Sequence, residues 1–526
     1  MTTKEACPPP PSQNRSAAIV GKPPWDGAVA PRAASETLNL DLDYDLSLSH
    51  KLKLLSHGTS PHVIRRRSFP ADFLFGAGTS ALQVEGSQYE GGRGPSVWDD
   101  IIRDADKYPT MIEHYKRYKE DVALLKKLGV NSYRFSIAWS RILPDGTLNG
   151  GINQEGINFY NNLINELLAN GITPFVTILH FDYPLHLYKQ GGFLNISILN
   201  HYKDYSDLLF KTYGDRVKHW ATFNEQEITA MFNFMHGMQN PSAEKCQVTK
   251  ECKEAYLFIH NSILCHATAA NIYNQKYKAT QGGEIGIVLC MEDYIPYSFK
   301  PEDVAASERL SDFFSGWILE PLFYGDYPTT MRELVGDRLP IFTEEEKILV
   351  KGSIDFIGLN YYRSFYARNE PNKTRITNLD NYDSLAVKEV INAQGKTIGF
   401  KDPATSSFIY PEGLYNVLIH LKQKYQNPKI YITENGISSG KIVNSLEDSH
   451  RINYIAAHLN YTKFAIDSGV NVGGYFAWAA FDTFEFYGGF SDRFGLISID
   501  FNDNLKRIPK WSARWYKWFL TGNKNF

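Results

Sequence analysis

From Phe69 onward the chain alternates short β-rich apolar runs with stretches long enough for a helix, and no other feature restricts its fold as much. The runs are 73–81 (FLFGAGTSA), 132–139 (SYRFSIAW), 173–181 (TPFVTILHF), 219–225 (HWATFNE), 284–290 (EIGIVLC), 355–362 (DFIGLNYY), 429–435 (KIYITEN) and 474–481 (GYFAWAAF). Amphipathic stretches such as 114–128 (HYKRYKEDVALLKKL) and 156–169 (GINFYNNLINELLA) lie between them. Nearly continuous apolar strands alternating with helices indicate a parallel sheet covered on both faces. Eight such units predict an α/β fold with one (β/α)8 barrel and enlarged loops. Length alone, at 526 residues, would otherwise suggest two or three domains.

Residues 1–66 follow a different pattern. They begin Pro- and Ser-rich and then alternate strictly, with Leu38, Leu40, Leu42, Tyr44, Leu46 and Leu48 two apart. That period fits either a strand with one apolar face or an arm docking on the body, and a disordered tail fits the composition equally. The expected organisation is therefore an N-terminal extension over 1–66 and a barrel domain over 67–526. A net charge of -3 offers no nucleic-acid footprint. No apolar run reaches the roughly 18–20 residues of a membrane span. Five cysteines make no disulfide framework, and Cys246 and Cys252 are expected as free thiols although they are close enough to pair. With no apolar signal segment at the N-terminus, a cytoplasmic location is expected, with plastid and nucleus as open alternatives. Association into a homo-oligomer is left open.

The polar residues come late in each run or just after it: Gln83 and Glu85, Arg134, His180 and Asp182, Asn224 and Glu225, Asn360 with Tyr361 and Tyr362, Glu434 and Asn435, Asp482 and Glu485. Any one of these reads as an ordinary turn residue. As a set they define the bowl at the C-terminal face of a barrel, where catalytic groups converge. Glu225 ends the fourth run and Glu434 the seventh, nearly opposite in a closed barrel. Paired carboxylates across a polar pocket suit glycoside hydrolysis, one as proton donor and one as nucleophile. Arg134 and a tyrosine of the sixth run would hold Glu434 ionised, leaving Glu225 with the raised pKa. Trp478 would give a sugar or its leaving group an apolar platform.

Over residues 69–520 the chain resembles glycoside hydrolase family 1, the β-glucosidase family. The motifs that carry the likeness are FPADFLFGAGTSALQVEG (69–86), YKEDVALLKKLGVNSYRFSIAWSRILP (118–144), TFNE (222–225), GLNYY (358–362), YITENG (431–436) and WAAFDTFEF with RFGL (478–496). The resemblance implies a retaining hydrolase of a small-molecule glucoside, with no metal or cofactor. Glu225 would be the acid/base and Glu434 the nucleophile. Gln83, His180, Asn224 and Glu485 would bind the sugar, with Asn360 and Tyr362 around them, Arg134 beside the nucleophile and Trp478 under the aglycone. Phe486 and Phe494 are further substrate-binding candidates. Loop phrasing such as GGRGPSVWD and GVNVGGYFAW is similar to plant members that deglucosylate monoterpenoid-alkaloid glucosides, the strictosidine and raucaffricine glucosidases.

The chain departs from the family pattern in several places. Phe181 and Phe486 stand where tryptophans are usual, so two indole N–H donors are missing, each worth roughly 0.5–1.5 kcal/mol. Gln226 replaces the proline after the acid/base and is expected to bring an extra donor and acceptor into the bowl, whereas Glu227 is expected as a solvated or loop-bonding charge. The loop between Trp98 and Tyr115 is short. The loop after the fourth run departs strongly and supplies Phe232, Phe234, Met235 and Met238, which suit a flat hydrophobic aglycone. Besides hydrolysis, the departures admit transfer to an acceptor alcohol or a catalytically weakened homologue that binds a glycoside or a partner. A thioglucosidase is disfavoured, because such members lack a glutamate at the position of Glu225.

Overall fold

The computed structural model describes residues 64–526 apart from 103–109, 236–251, 377–381, 403–406, 441–445, 487 and 524–525. The alternating leucines of the N-terminal extension, Cys246 and Met238 lie outside the described residues. All eight expected runs are parallel strands: β1 (Leu74–Gly78), β2 (Ser132–Ser136), β3 (Thr173–Leu179), β4 (His219–Asn224), β5 (Glu284–Pro296), β6 (Phe356–Asn369), β7 (Lys429–Asn435) and β8 (Val472–Trp478). Each pairs with the next, and β8 pairs with β1, so the sheet closes into a barrel without edges. The expected helices form at His114–Leu128 and Gln154–Ala169. Gly129 ends the first with a positive φ that frees its N–H to cap the carbonyls of Leu125 and Lys126. Asn153 caps the start of the second.

The barrel interior is filled rather than open. Phe175, Phe356, Tyr431 and Phe476 meet edge to face, with centroids 5.2 to 5.5 Å apart. Rings of this size fit because glycine stands beside them. A Cβ on Gly76 would lie 2.2 Å from the Phe476 ring, and one on Gly286 would lie 2.2 Å from the Phe356 carbonyl oxygen.

Ladder irregularities mark the C-terminal ends of three strands. On β4, Ala221 and Asn224 face Gly286 and Val288, and on β7, Ile432 and Glu434 face Leu359 and Asn360. On β6, Tyr361 and Ser364 face Met291 and Asp293. Each inserts an extra residue and re-aims the side chains around it. Past the third bulge β5 and β6 continue beyond the barrel as a raised lip, and a short strand at Ala386–Glu389 adds to it antiparallel.

One expectation fails outside the site. Cys252 is in a disulfide, not a free thiol, and its partner lies outside the described residues. A cross-link there anchors the chain just ahead of the helix at Glu254–Ile272 and lowers the conformational entropy of the denatured chain.

Gly286→Ala is expected to overpack the barrel floor at a cost of about 1–3 kcal/mol. Calorimetry should show a melting point lower by several degrees, with a smaller loss for the same change at exposed Gly395, which has open space around it.

Candidate active site

The bowl above the aromatic floor is organised by Arg134, which is fully buried on β2. Its Nη1 donates to Glu434 Oε1 at 2.5 Å and its Nη2 to Asn224 Oδ1 at 2.6 Å. Tyr362 donates its hydroxyl to the other oxygen of Glu434 at 2.7 Å. Glu434 thus accepts from a cation at one oxygen and from a phenol at the other.

Glu225 has the opposite environment. It ends β4 in the left-handed region, at φ 48°, and a short helix over Gln226–Ala230 follows. Its N–H is held by the Val288 carbonyl, and its Oε1 accepts from Asn360 Nδ2 at 2.7 Å. Burial and the nearby charge of Glu434 push its pKa up to about 8, against the pull of Asn360 and Arg134. Asn360 also donates to Asn224 Oδ1 at 3.1 Å and accepts from Thr433, which ties both carboxyls into one network.

The expected sugar ligands line the same bowl. Gln83 Nε2 donates to the Phe484 carbonyl at 2.6 Å and reaches Glu485 Oε2 at 3.3 Å. His180 Nε2 meets Asn224 Nδ2 at 3.3 Å, and its ring lies parallel to Trp478 with centroids 5.9 Å apart. Burial and Arg134 depress its pKa far below the usual range, so the ring is neutral. His180 Nδ1 and Glu485 Oε1 have no protein partner among the described residues, which suits hydroxyl-rich ligands. Phe486 packs edge-on to Phe181 at 4.9 Å and against Trp98 at 4.7 Å, filling the wall but offering no N–H. The Trp98 indole is committed to the Phe181 carbonyl. Phe494 sits edge-on to Tyr362 at 6.3 Å.

Several strand-end polar residues belong to the scaffold instead. Glu85 accepts from Arg141 and Tyr160, Asn435 bonds Tyr361 and Tyr475, and Asp482 holds Lys510. Asp182, whose pKa burial raises to about 7, borders a cavity of about 10 Å³ with Gln88 and Arg141, enough for one water. Two expectations at the acid/base are corrected. Gln226 turns its amide away from the bowl, toward Ser262 at 3.4 Å, because the short helix packs on the one containing Ser262. Glu227 is not solvated: it is 1% exposed, and its Oε1 accepts from the Cys290 N–H at 2.6 Å. Burial, reinforced by Glu225, raises its pKa far above the carboxylate range, so it keeps its proton. Phe232 and Phe234 are buried.

The family model of glycosyl hydrolase family 1 matches residues 65–525. The chain belongs to this family. It is an O-glycosyl hydrolase similar to plant β-glucosidases. A furostanol glycoside 26-O-β-glucosidase from Hellenia speciosa is 48% identical over 476 residues, covering 87% of this chain and 84% of that protein. Furcatin hydrolase from Viburnum furcatum is 46% identical over 469 residues, covering 86% of each. A rice β-glucosidase solved in a covalent complex with glucose superposes with a TM-score of 0.82 at 39% identity, covering 87% of this chain and 99% of that one.

The sequence reading missed Arg363, Glu292 and Lys388 on the raised lip, which come together beside Glu225. The arginine directly after GLNYY was visible, but its partners come from two other strands.

With Glu225 as the expected acid/base, its protonated form is the one required, so kcat/KM should fall as pH rises through about 8. Asn360 stabilises the ionised form, so Asn360→Ala should move this basic limb to higher pH. A pH–rate profile of the two proteins checks the sign.

Proposed function

We propose that the protein is a retaining β-glucosidase of a plant specialised-metabolite glucoside, with a monoterpenoid-alkaloid type of aglycone as the specific expectation. One observation carries the mechanism: the bowl holds one carboxyl bonded by a guanidinium and a phenol, and a second that burial and its neighbour's charge favour in the protonated form. Glu434, paired with Arg134 and Tyr362, attacks the anomeric carbon. Glu225, carrying its proton, delivers it to the departing glycosidic oxygen. The sugar is then bonded to the Glu434 oxygen, and the aglycone leaves as an alcohol. Glu225, now ionised, takes a proton from water, which attacks the anomeric carbon and releases the sugar with its configuration retained.

Support for the substrate class is of two kinds. Relatives named for a furostanol glycoside and for furcatin match over most of their length. The loop phrasing similar to the strictosidine and raucaffricine glucosidases favours a rigid polycyclic aglycone. The intact Arg134–Glu434 pair opposes a non-catalytic role. Trp98, locked on the Phe181 carbonyl, does not replace the two missing indole donors, so glucose binding rests more heavily on Gln83, His180 and Glu485.

Incubation with a 2-deoxy-2-fluoroglucoside bearing a good leaving group should trap the sugar on Glu434, located by peptide mass spectrometry. Glu225→Ala should slow release of a poor leaving group by about 10²–10⁴-fold, and a dinitrophenyl leaving group far less. Labelling elsewhere, or equal losses for both leaving groups, would exclude these roles.

A further inference from the structure

The lip beside the acid/base carries more positive charge than its fold needs. Glu292 on β5 is almost fully buried. Its Oε2 accepts from Lys388 Nζ at 2.6 Å and from the Tyr294 hydroxyl at 2.7 Å. Its Oε1 accepts from Arg363 Nε at 3.0 Å. Burial opposes the charge, but Lys388 and Arg363 outweigh it and hold the Glu292 pKa at about 2. One carboxylate therefore faces two cations, leaving one net positive charge. Lys388 is the enclosed cation, lying over the rings of Phe314, Tyr294 and Phe365. Arg363 is the open one, with its side chain 63% exposed.

Its direction follows from the β6 bulge. Regular alternation would turn Tyr362 and Arg363 to opposite faces of the strand, but here both residues fall between Tyr361 and Ser364, opposite the single residue Glu292. Tyr362 reaches the nucleophile. Arg363 is near enough to Glu225 to favour its ionised form. The proton donor sits beside the departing oxygen, so a cation on the lip next to it lies on the aglycone side. Among the described residues Nε is the only side-chain nitrogen of Arg363 with a hydrogen-bond partner, which leaves the forked terminal N–H groups available. The Phe365 ring, 5.4 Å below, restricts the guanidinium plane. Glu292 would keep Lys388 and Tyr294 as partners without Arg363, so the buried carboxylate is not left unpaired when the arginine is engaged elsewhere.

We propose that Arg363 is a specificity-determining residue for the aglycone, selecting glucosides whose aglycone carries a carboxylate. The guanidinium fork takes the two carboxylate oxygens while Glu225 protonates the glycosidic oxygen. This rests on the glucosidase reading above.

The test uses phenyl β-D-glucosides bearing a carboxylate or its methyl ester at the meta or para position, with 4-nitrophenyl β-D-glucoside as a reference. The acid-to-ester ratio of kcat/KM in wild type, Arg363→Gln and Arg363→Lys cancels differences in leaving-group quality. For at least one position the ratio should fall about tenfold or more in Arg363→Gln, mainly through KM. Arg363→Lys should recover part of it, and 0.5 M salt should lower the wild-type ratio while barely moving that of Arg363→Gln. Ratios equal in wild type and Arg363→Gln at both positions would overturn the proposal. Absence of turnover of the 4-nitrophenyl glucoside by wild type would instead sink the glucosidase reading, and this assignment with it.

Discussion

The site depends on one buried cation. Arg134 lies beneath the bowl with no exposed surface, where an unpaired guanidinium would cost several kcal/mol in lost hydration. Its charge is met by Glu434, and the rest of the fork is occupied by Asn224. A single positive charge can neutralise one carboxylate but not two. The second carboxyl, Glu225, is buried near the same place and meets that constraint by keeping its proton. The proposed division of labour between acid and nucleophile follows from charge counting in a low-dielectric cavity, in the way that unlike environments separate the roles of two carboxyls elsewhere. Glu227, buried without any cation among the described residues, obeys the same rule and stays neutral.

The strand architecture was legible because a barrel strand packed on both sides reads as a continuous apolar run, and each run is followed by a helix-length segment. Both carboxylates were legible because they end such runs. The bulges were not. An inserted residue leaves no mark in a run that is apolar throughout, yet the bulges on β4 and β7 aim Glu225 and Glu434, and the one on β6 aims Tyr362 and Arg363. Glu227 and Gln226 were misread for a related reason. A carboxylate and an amide following a strand look solvent-facing, and only packing against β5 and the helix containing Ser262 shows that they are enclosed. Glu292, Lys388 and Arg363 come from three strands, so their common site exists only in three dimensions.

The replacements at 181 and 486 change the character of the bowl without opening it. Phenylalanine keeps the ring packing of the wall against Trp98 and His180 but removes the polar edge. Recognition of the sugar then rests on fewer donors, and binding energy from the aglycone side gains weight. Energy gained on a remote part of a substrate can be used to orient the reacting bond.

Arg363 and Glu225 make this a coupled problem. Arg363, which shares Glu292 with Lys388, weakens the hold of the proton donor on its proton, which works against its role as acid. An anion bound to Arg363 would cancel that pull. An aglycone carboxylate would then do two things at once: anchor the leaving group and restore the proton affinity of the group that must protonate it. A neutral aglycone would do neither. Burial and Glu434 outweigh the pull of Arg363 on that proton, so the charge of the aglycone bears first on binding and only secondarily on the chemical step.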